Sequence, residues 1–193
     1  MRKQFNEARR RASESPYHGC ATAVFAAVVD TLGLRYGDEA FRAMIGFAGG
    51  VGHLVRGTCG ALSGAAAAIS LSYNKSREEV ISALQDPHPV DQHLPEFFQE
   101  IFEKIAYVAG KMHEKYGSTL CCEIQFELYG KVLDFLDPAK HWQFSQYHKS
   151  YPINCYTVEG DVANWTVEAI IANKSRKAVE HMPNSDRLGN KQS

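Results

Sequence analysis

The chain has 193 residues, is 45% hydrophobic, and carries 21 basic and 22 acidic residues for a formal net charge of -1. That length and apolar content suit one packed domain, and a charge so close to balance leaves no one-signed field to draw in nucleic acid or an anionic membrane. The longest uncharged apolar stretch, CGALSGAAAAISLSY, falls short of the roughly 18 residues that a transmembrane helix needs. The basic start lacks a signal-peptide cleavage pattern, so the expected location is the cytoplasm.

In chain order, KQFNEARRRASE (residues 3–14) predicts a charged helix ended by Ser15 and Pro16. HGCATAVFAAVVDTLG predicts a buried helix closed by Gly33, and GDEAFRAMIGF a shorter one with Asp38 at its dipole-favoured start. A glycine-rich turn then leads into a helix from about Thr58 to Tyr73, and SREEVISAL adds one or two turns. QDPHPVDQHLP is a loop fixed by three prolines. From Pro95 to Tyr116, Phe98, Ile101, Phe102, Ile105 and Val108 recur at helical spacing. CCEIQFELYGKVLDFL predicts a further helix, Asp137 to Tyr151 is aromatic and histidine-rich without clear period, and a last helix begins near Asn154.

No long alternating strand pattern appears, so the expected fold is all-α. It is a single-domain helical bundle with a glycine-rich loop before a small-residue helix. The expected division is a charged helix over residues 1–15, the bundle over 16–180 and a flexible tail over 181–193.

Five cysteines, an odd number, do not form a disulfide framework in a reducing compartment. Four of them, Cys20, Cys59, Cys121 and Cys155, follow turn-forming or capping residues and open predicted helices. Free N–H groups and the positive end of the helix dipole lower a thiol's pKa there, and the same groups can donate to the sulfurs of an iron–sulfur cluster. A single cysteine so placed reads best as a small core hydrophobe, but recurrence at four helix starts favours a site. Their spacing matches no sequence-local zinc, ferredoxin or C-x-x-C-H haem motif, so the fold must assemble any centre. Cys121 and Cys122 point to different helix faces, and Cys121, nearer the helix start, is the one expected to join it.

Gly46, Gly49, Gly50, Gly52 and Gly57 allow positive φ and close backbone approach around a compact ligand. Gly49, Gly50, Gly52 and Gly60 are the candidate cofactor contacts. Gly60, Ala61, Ser63, Gly64 and the alanines after them form a small-residue face for tight helix packing.

CGALSG (Cys59 to Gly64) preceded by GFAGGVG, together with the upstream GCATAV, the downstream GSTLCCEI and a last cysteine opening the C-terminal helix, resembles the C_GCAxxG_C_C family of redox-active proteins over about residues 17 to 170. The family is named for four cysteines and a CGAxxG motif, which map to Cys20, Cys59, Cys121 and Cys155. It is similar to the cysteine-bearing part of split-Soret cytochromes, which are dimeric. The resemblance implies a redox role, an iron–sulfur cluster or reactive thiol set on those cysteines, and a homodimer with an electron-transfer partner. Covalent haem is not implied, since C-x-x-C-H is absent. The enzymatic alternative is thiol–disulfide exchange with Cys59 as the attacking thiolate, and a third reading is a structural zinc site of four cysteines.

Among the histidines, His18 and His53 stand close enough in sequence to the cysteine segments to serve as ligands or as donors to sulfur, yet read better as loop or surface residues, whereas His88, His93, His113, His141, His148 and His181 are scattered and match no zinc-enzyme motif. Arg56 reads as a surface residue, as do Glu123 and Glu127. GFAGGVG lacks G-K-[ST] and follows no strand, which excludes a nucleotide loop. The aromatic residues of the last third, Phe126 to Trp165, read as core, with a dimer contact open.

Overall fold

The computed structural model describes residues 2–83 and 95–171. Among these the protein is all-α, with helices α1 Arg2–Ser13, α2 Cys20–Leu32, α3 Asp38–Met44, α4 Gly60–Tyr73, α5 Arg77–Ala83, α6 Glu96–Tyr116, α7 Cys121–Tyr129, α8 Pro138–Ser150 and α9 Cys155–Ile171. A 3-10 turn, Ile45–Phe47, links α3 to the glycine-rich loop. No helix among the described residues is long and apolar enough to cross a membrane.

The most apolar helix lies at the centre. In α2, every residue from Ala21 to Val29 is buried, so the helix must be covered all round; α1, α4 and α9 do this. It ends at Gly33, whose φ of 64° places it in the left-handed region, and its last carbonyls are satisfied by the N–H groups of Gly33 and Leu34. The charged α1 is not an appendage. Ala8 and Ala12 are fully buried and join the common core, while Glu7, Arg10, Arg11 and Glu14 pair with one another on its outer face.

Two close approaches fix the packing. A Cβ on Gly64 of α4 would overlap the Ala21 carbonyl oxygen of α2, so the small-residue face lets these helices meet backbone to backbone. A Cβ on Gly160 of α9 would stand 3.1 Å from the Arg9 carbonyl oxygen of α1. Beside it, the fully buried Asp161 accepts from Tyr116 Oη and is paired with Arg9 and Lys115. That carboxylate ties α1, α6 and α9 together. At the far end of α9, Tyr73 Oη and Lys104 Nζ donate to the carbonyls of Ile170 (2.7 Å) and Ala169 (3.0 Å).

Two elements differ from the sequence reading. The helix expected to run on through Leu136 stops at Tyr129, because Gly130 (φ 68°) turns the chain. The stretch from Asp137 to Tyr151 is a helix, α8: Asp137 accepts from the N–H groups of Ala139 and Lys140 and Pro138 sits in the first turn. The proline-rich loop before Pro95 and the tail over 181–193 lie outside the described residues.

Gly64→Ala forces a methyl group against the Ala21 carbonyl and is expected to cost about 1–3 kcal/mol, read as a lowered urea midpoint. Gly110→Ala, in α6 with nothing within 4 Å of the new methyl, is expected to raise the midpoint, by about 0.5–1 kcal/mol of stability.

Candidate functional site

Cys20, Cys121 and Cys155 are the first residues of α2, α7 and α9, and Cys59 is the residue that caps α4. All four line one cavity of about 300 Å³. Local structure sets each of them. Cys59 N–H donates to the Thr119 carbonyl (2.8 Å) and Cys121 N–H to the Gly57 carbonyl (3.0 Å), an isolated antiparallel bridge centred on Thr58 and Leu120. Two cysteines distant in sequence are thereby held side by side by backbone alone. Asn154 caps α9, its Oδ1 accepting from the N–H groups of Tyr156 and Thr157. Cys155 N–H donates to Tyr129 Oη (2.9 Å). The N–H groups of Gly49 and Ala21 are directed at the Cys20 sulfur, that of Ala61 at Cys59.

The glycine-rich loop contains a turn of left-handed backbone: Gly49, Gly50, Val51, Gly52 and His53 have φ of 58°, 76°, 66°, 60° and 62°. Left-handed geometry costs roughly 1–2 kcal/mol at each non-glycine residue, so Val51 and His53 are strained. Of the four glycines expected to contact a cofactor, Gly49 lines the cavity. Gly50 leaves no room for a Cβ beside Val55 and Cys121, and a Cβ on Gly60 would overlap the Cys20 sulfur. Gly52 has open space around it and does not line the cavity; its φ accounts for it.

Burial reverses the expected effect of the helix starts. Desolvation pushes the Cys20 thiol up to about 12 and Cys121 to about 11, and holds Cys59 and Cys155 well above the usual thiol range. The thiols and Glu159 also oppose one another's ionisation. The N–H groups act the other way and lose. For Cys59, burial therefore works against the low-pKa attacking thiolate that its helix start favours.

Sequence reasoning missed several cavity neighbours. Gln125, fully buried, donates from Nε2 to Cys121 Sγ (3.6 Å) and accepts from Leu133 N–H. Tyr129 bonds to the Cys155 thiol, and Glu159, its carboxyl raised to about 8 by burial, lines the wall. Gln125 and Glu159 each follow a cysteine by four residues, one helical turn, and that spacing was the available signal. His18 and His53 both line the cavity, and so do His141 and His148 of the unforeseen α8. Cys122 faces a separate groove with Phe126 and Val132. Arg56, His113, Glu123 and Glu127 are exposed; His88, His93 and His181 lie outside the described residues. The aromatics divide: Tyr129 is buried among Phe144, Tyr147 and Tyr151, whereas Phe126 and Trp142 are exposed. Among the described residues, no three His, Cys, Asp or Glu side chains as placed close on a point that would hold a single ion.

His148 supplies a pH test. Its ring lies between Phe144 and Tyr156, and burial lowers it from 6.5 to about 4. Between those values the unfolded chain takes up a proton that the folded one refuses, so this group's contribution is complete above about pH 6.5 and is lost as pH falls towards about 4. Urea midpoints across that window should fall more steeply for the wild type than for His148→Gln, whatever the other groups contribute to both.

No significant match to a curated protein or to a solved structure is found. A family model described as "Putative redox-active protein (C_GCAxxG_C_C)" matches residues 18–169, a span that opens two residues before Cys20 and includes all four cavity cysteines. The chain belongs to the C_GCAxxG_C_C family of redox-active proteins.

Proposed function

We propose that Cys20, Cys59, Cys121 and Cys155 together hold an iron–sulfur cluster, and that the protein serves in electron transfer or redox sensing. The observation that carries this is the meeting of four helix-start cysteines around one cavity of about 300 Å³. The donor set fits: four sulfurs, and directed N–H groups of the kind that tune cluster potentials. Mutual repulsion among the four groups when ionised also fits, because a cationic metal centre relieves it and releases their protons on binding.

When bound, the cluster would accept and return single electrons. The chain's own residues hold the sulfurs in place, with the Thr58–Leu120 bridge fixing Cys59 and Cys121 and Tyr129 fixing Cys155. Gln125 Nε2 and Tyr129 Oη donate to sulfur and so stabilise added negative charge. A zinc ion held by the same four cysteines is the second reading, with the same donors and no sulfide. Exposed Leu54, Leu136 and Trp142 offer apolar surface for a second copy or for an electron-transfer partner, and the reduced thiols suit a cytoplasmic setting.

The test is anaerobic purification followed by visible spectroscopy and assay of iron, zinc and acid-labile sulfide. Broad sulfur-to-iron charge transfer with iron and sulfide is expected, and is lost in Cys59→Ala. Tyr129→Phe should keep the cluster but shift its reduction potential to a more negative value, since one donor to sulfur is removed. Zinc without sulfide would replace the cluster by a structural site, and a colourless, metal-free protein would refute both.

A further inference from the structure

The cavity has a second set of donors that the cysteines do not use. His18 comes from the segment before α2, His53 from the left-handed turn and His141 from the first turn of α8. Their ring centres lie 5.9 Å (His18–His53), 6.1 Å (His18–His141) and 6.1 Å (His53–His141) apart, an almost equilateral triangle. His18 is exposed; His53 and His141 are partly so, as are Cys20 and Cys155, and Cys59 and Cys121 are buried. The exposed His18 sets the trio at the edge of the cavity.

His53 occupies a left-handed backbone position (φ 62°), as do Val51 and Val55 of the same loop (φ 66° and 55°). Gly49 makes room for it: a Cβ there would stand 2.8 Å from both His53 Cδ2 and Phe135 Cδ2. Phe135 then packs against His53 (5.3 Å) and His141 (6.0 Å), backing both rings.

The triangle has the dimensions of a metal site. Its sides put each ring centre about 3.5 Å from the common centre, and an imidazole coordinating at about 2.1 Å through nitrogen has its ring centre about 3.2 Å from the ion. As placed, the rings do not aim their nitrogens at one point; rotation about the side-chain bonds, with shifts of a few tenths of an ångström, is what closure requires.

We infer that His18, His53 and His141 form a site for one divalent first-row transition ion, separate from the cysteine set, with its fourth position open to the cavity. Three neutral imidazoles suit zinc, cobalt, nickel, copper or iron over magnesium or calcium, and three protein ligands with one open position is the pattern of ions that bind a further small ligand.

The probe is Co2+ alone, added to the full-length protein as purified, with binding followed by visible absorption and metal analysis. One Co2+ per chain is expected beyond the metal already present, with weak ligand-field bands and no sulfur-to-cobalt charge transfer. His18→Ala and His141→Phe should each weaken it by more than about a hundredfold, beyond the range for losing an outer partner, while leaving the helical circular dichroism and the iron and sulfide content unchanged. No additional Co2+, or undiminished binding in both variants, would overturn the assignment. The cysteine proposal stands or falls separately, on iron and sulfide in the untreated protein.

Discussion

The site depends on one steric constraint, the approach of α4 to α2 at Gly60 and Gly64. The Cys20 sulfur and the Ala21 carbonyl each occupy space that a Cβ on α4 would fill. Any larger residue at either position would push the helix starts apart and carry Cys59 away from Cys20. The alanines that follow extend the same logic along the helix: Ala61, Ala65 and Ala68 are fully buried and keep the two axes close. Small residues contribute little apolar area, so their value here is positional, and the larger part of the core comes from Phe25, Ile69, Met112 and the valines of α2 and α9.

Helix N-termini and burial act on the same thiols in opposite directions. A partly exposed cysteine at a helix start is a nucleophile, because its thiolate is stabilised and can be reached. Here the four are desolvated together, and each would raise its neighbours' pKa if ionised. Burial therefore works against attack on a disulfide, whereas a bound cation would supply the missing charge. The same N–H groups that fail to ionise the free thiols can then tune the bound state.

The helical class, most helix starts and the grouping of four cysteines at those starts were legible because caps, glycines and prolines act locally and leave marks in the sequence. Gly130 carried such a mark, as did Asp137 and Pro138, yet the aromatic content of 137–151 masked the helix that follows. That helix has no single apolar face, since its rings serve a local aromatic cluster and the cavity wall. The roles of His141, Gln125 and Tyr129 were not legible, because each depends on a neighbour brought near by tertiary packing. The left-handed turn was foreshadowed at its glycines, but nothing local announces that Val51 and His53 share that conformation; the surrounding packing imposes it.

The pairing of α1 with α9 has a consequence for the order in which the molecule is made. The first and last described helices pack along each other, and α9 also covers α2, α4 and α6, while bearing the fourth cysteine. A chain emerging from the ribosome thus has a central hydrophobic helix uncovered, and three of its cavity thiols without their fourth companion, until α9 is free to dock. The complete sulfur set exists only after synthesis has passed residue 155, so any centre that uses all four cysteines is assembled in a nearly finished fold.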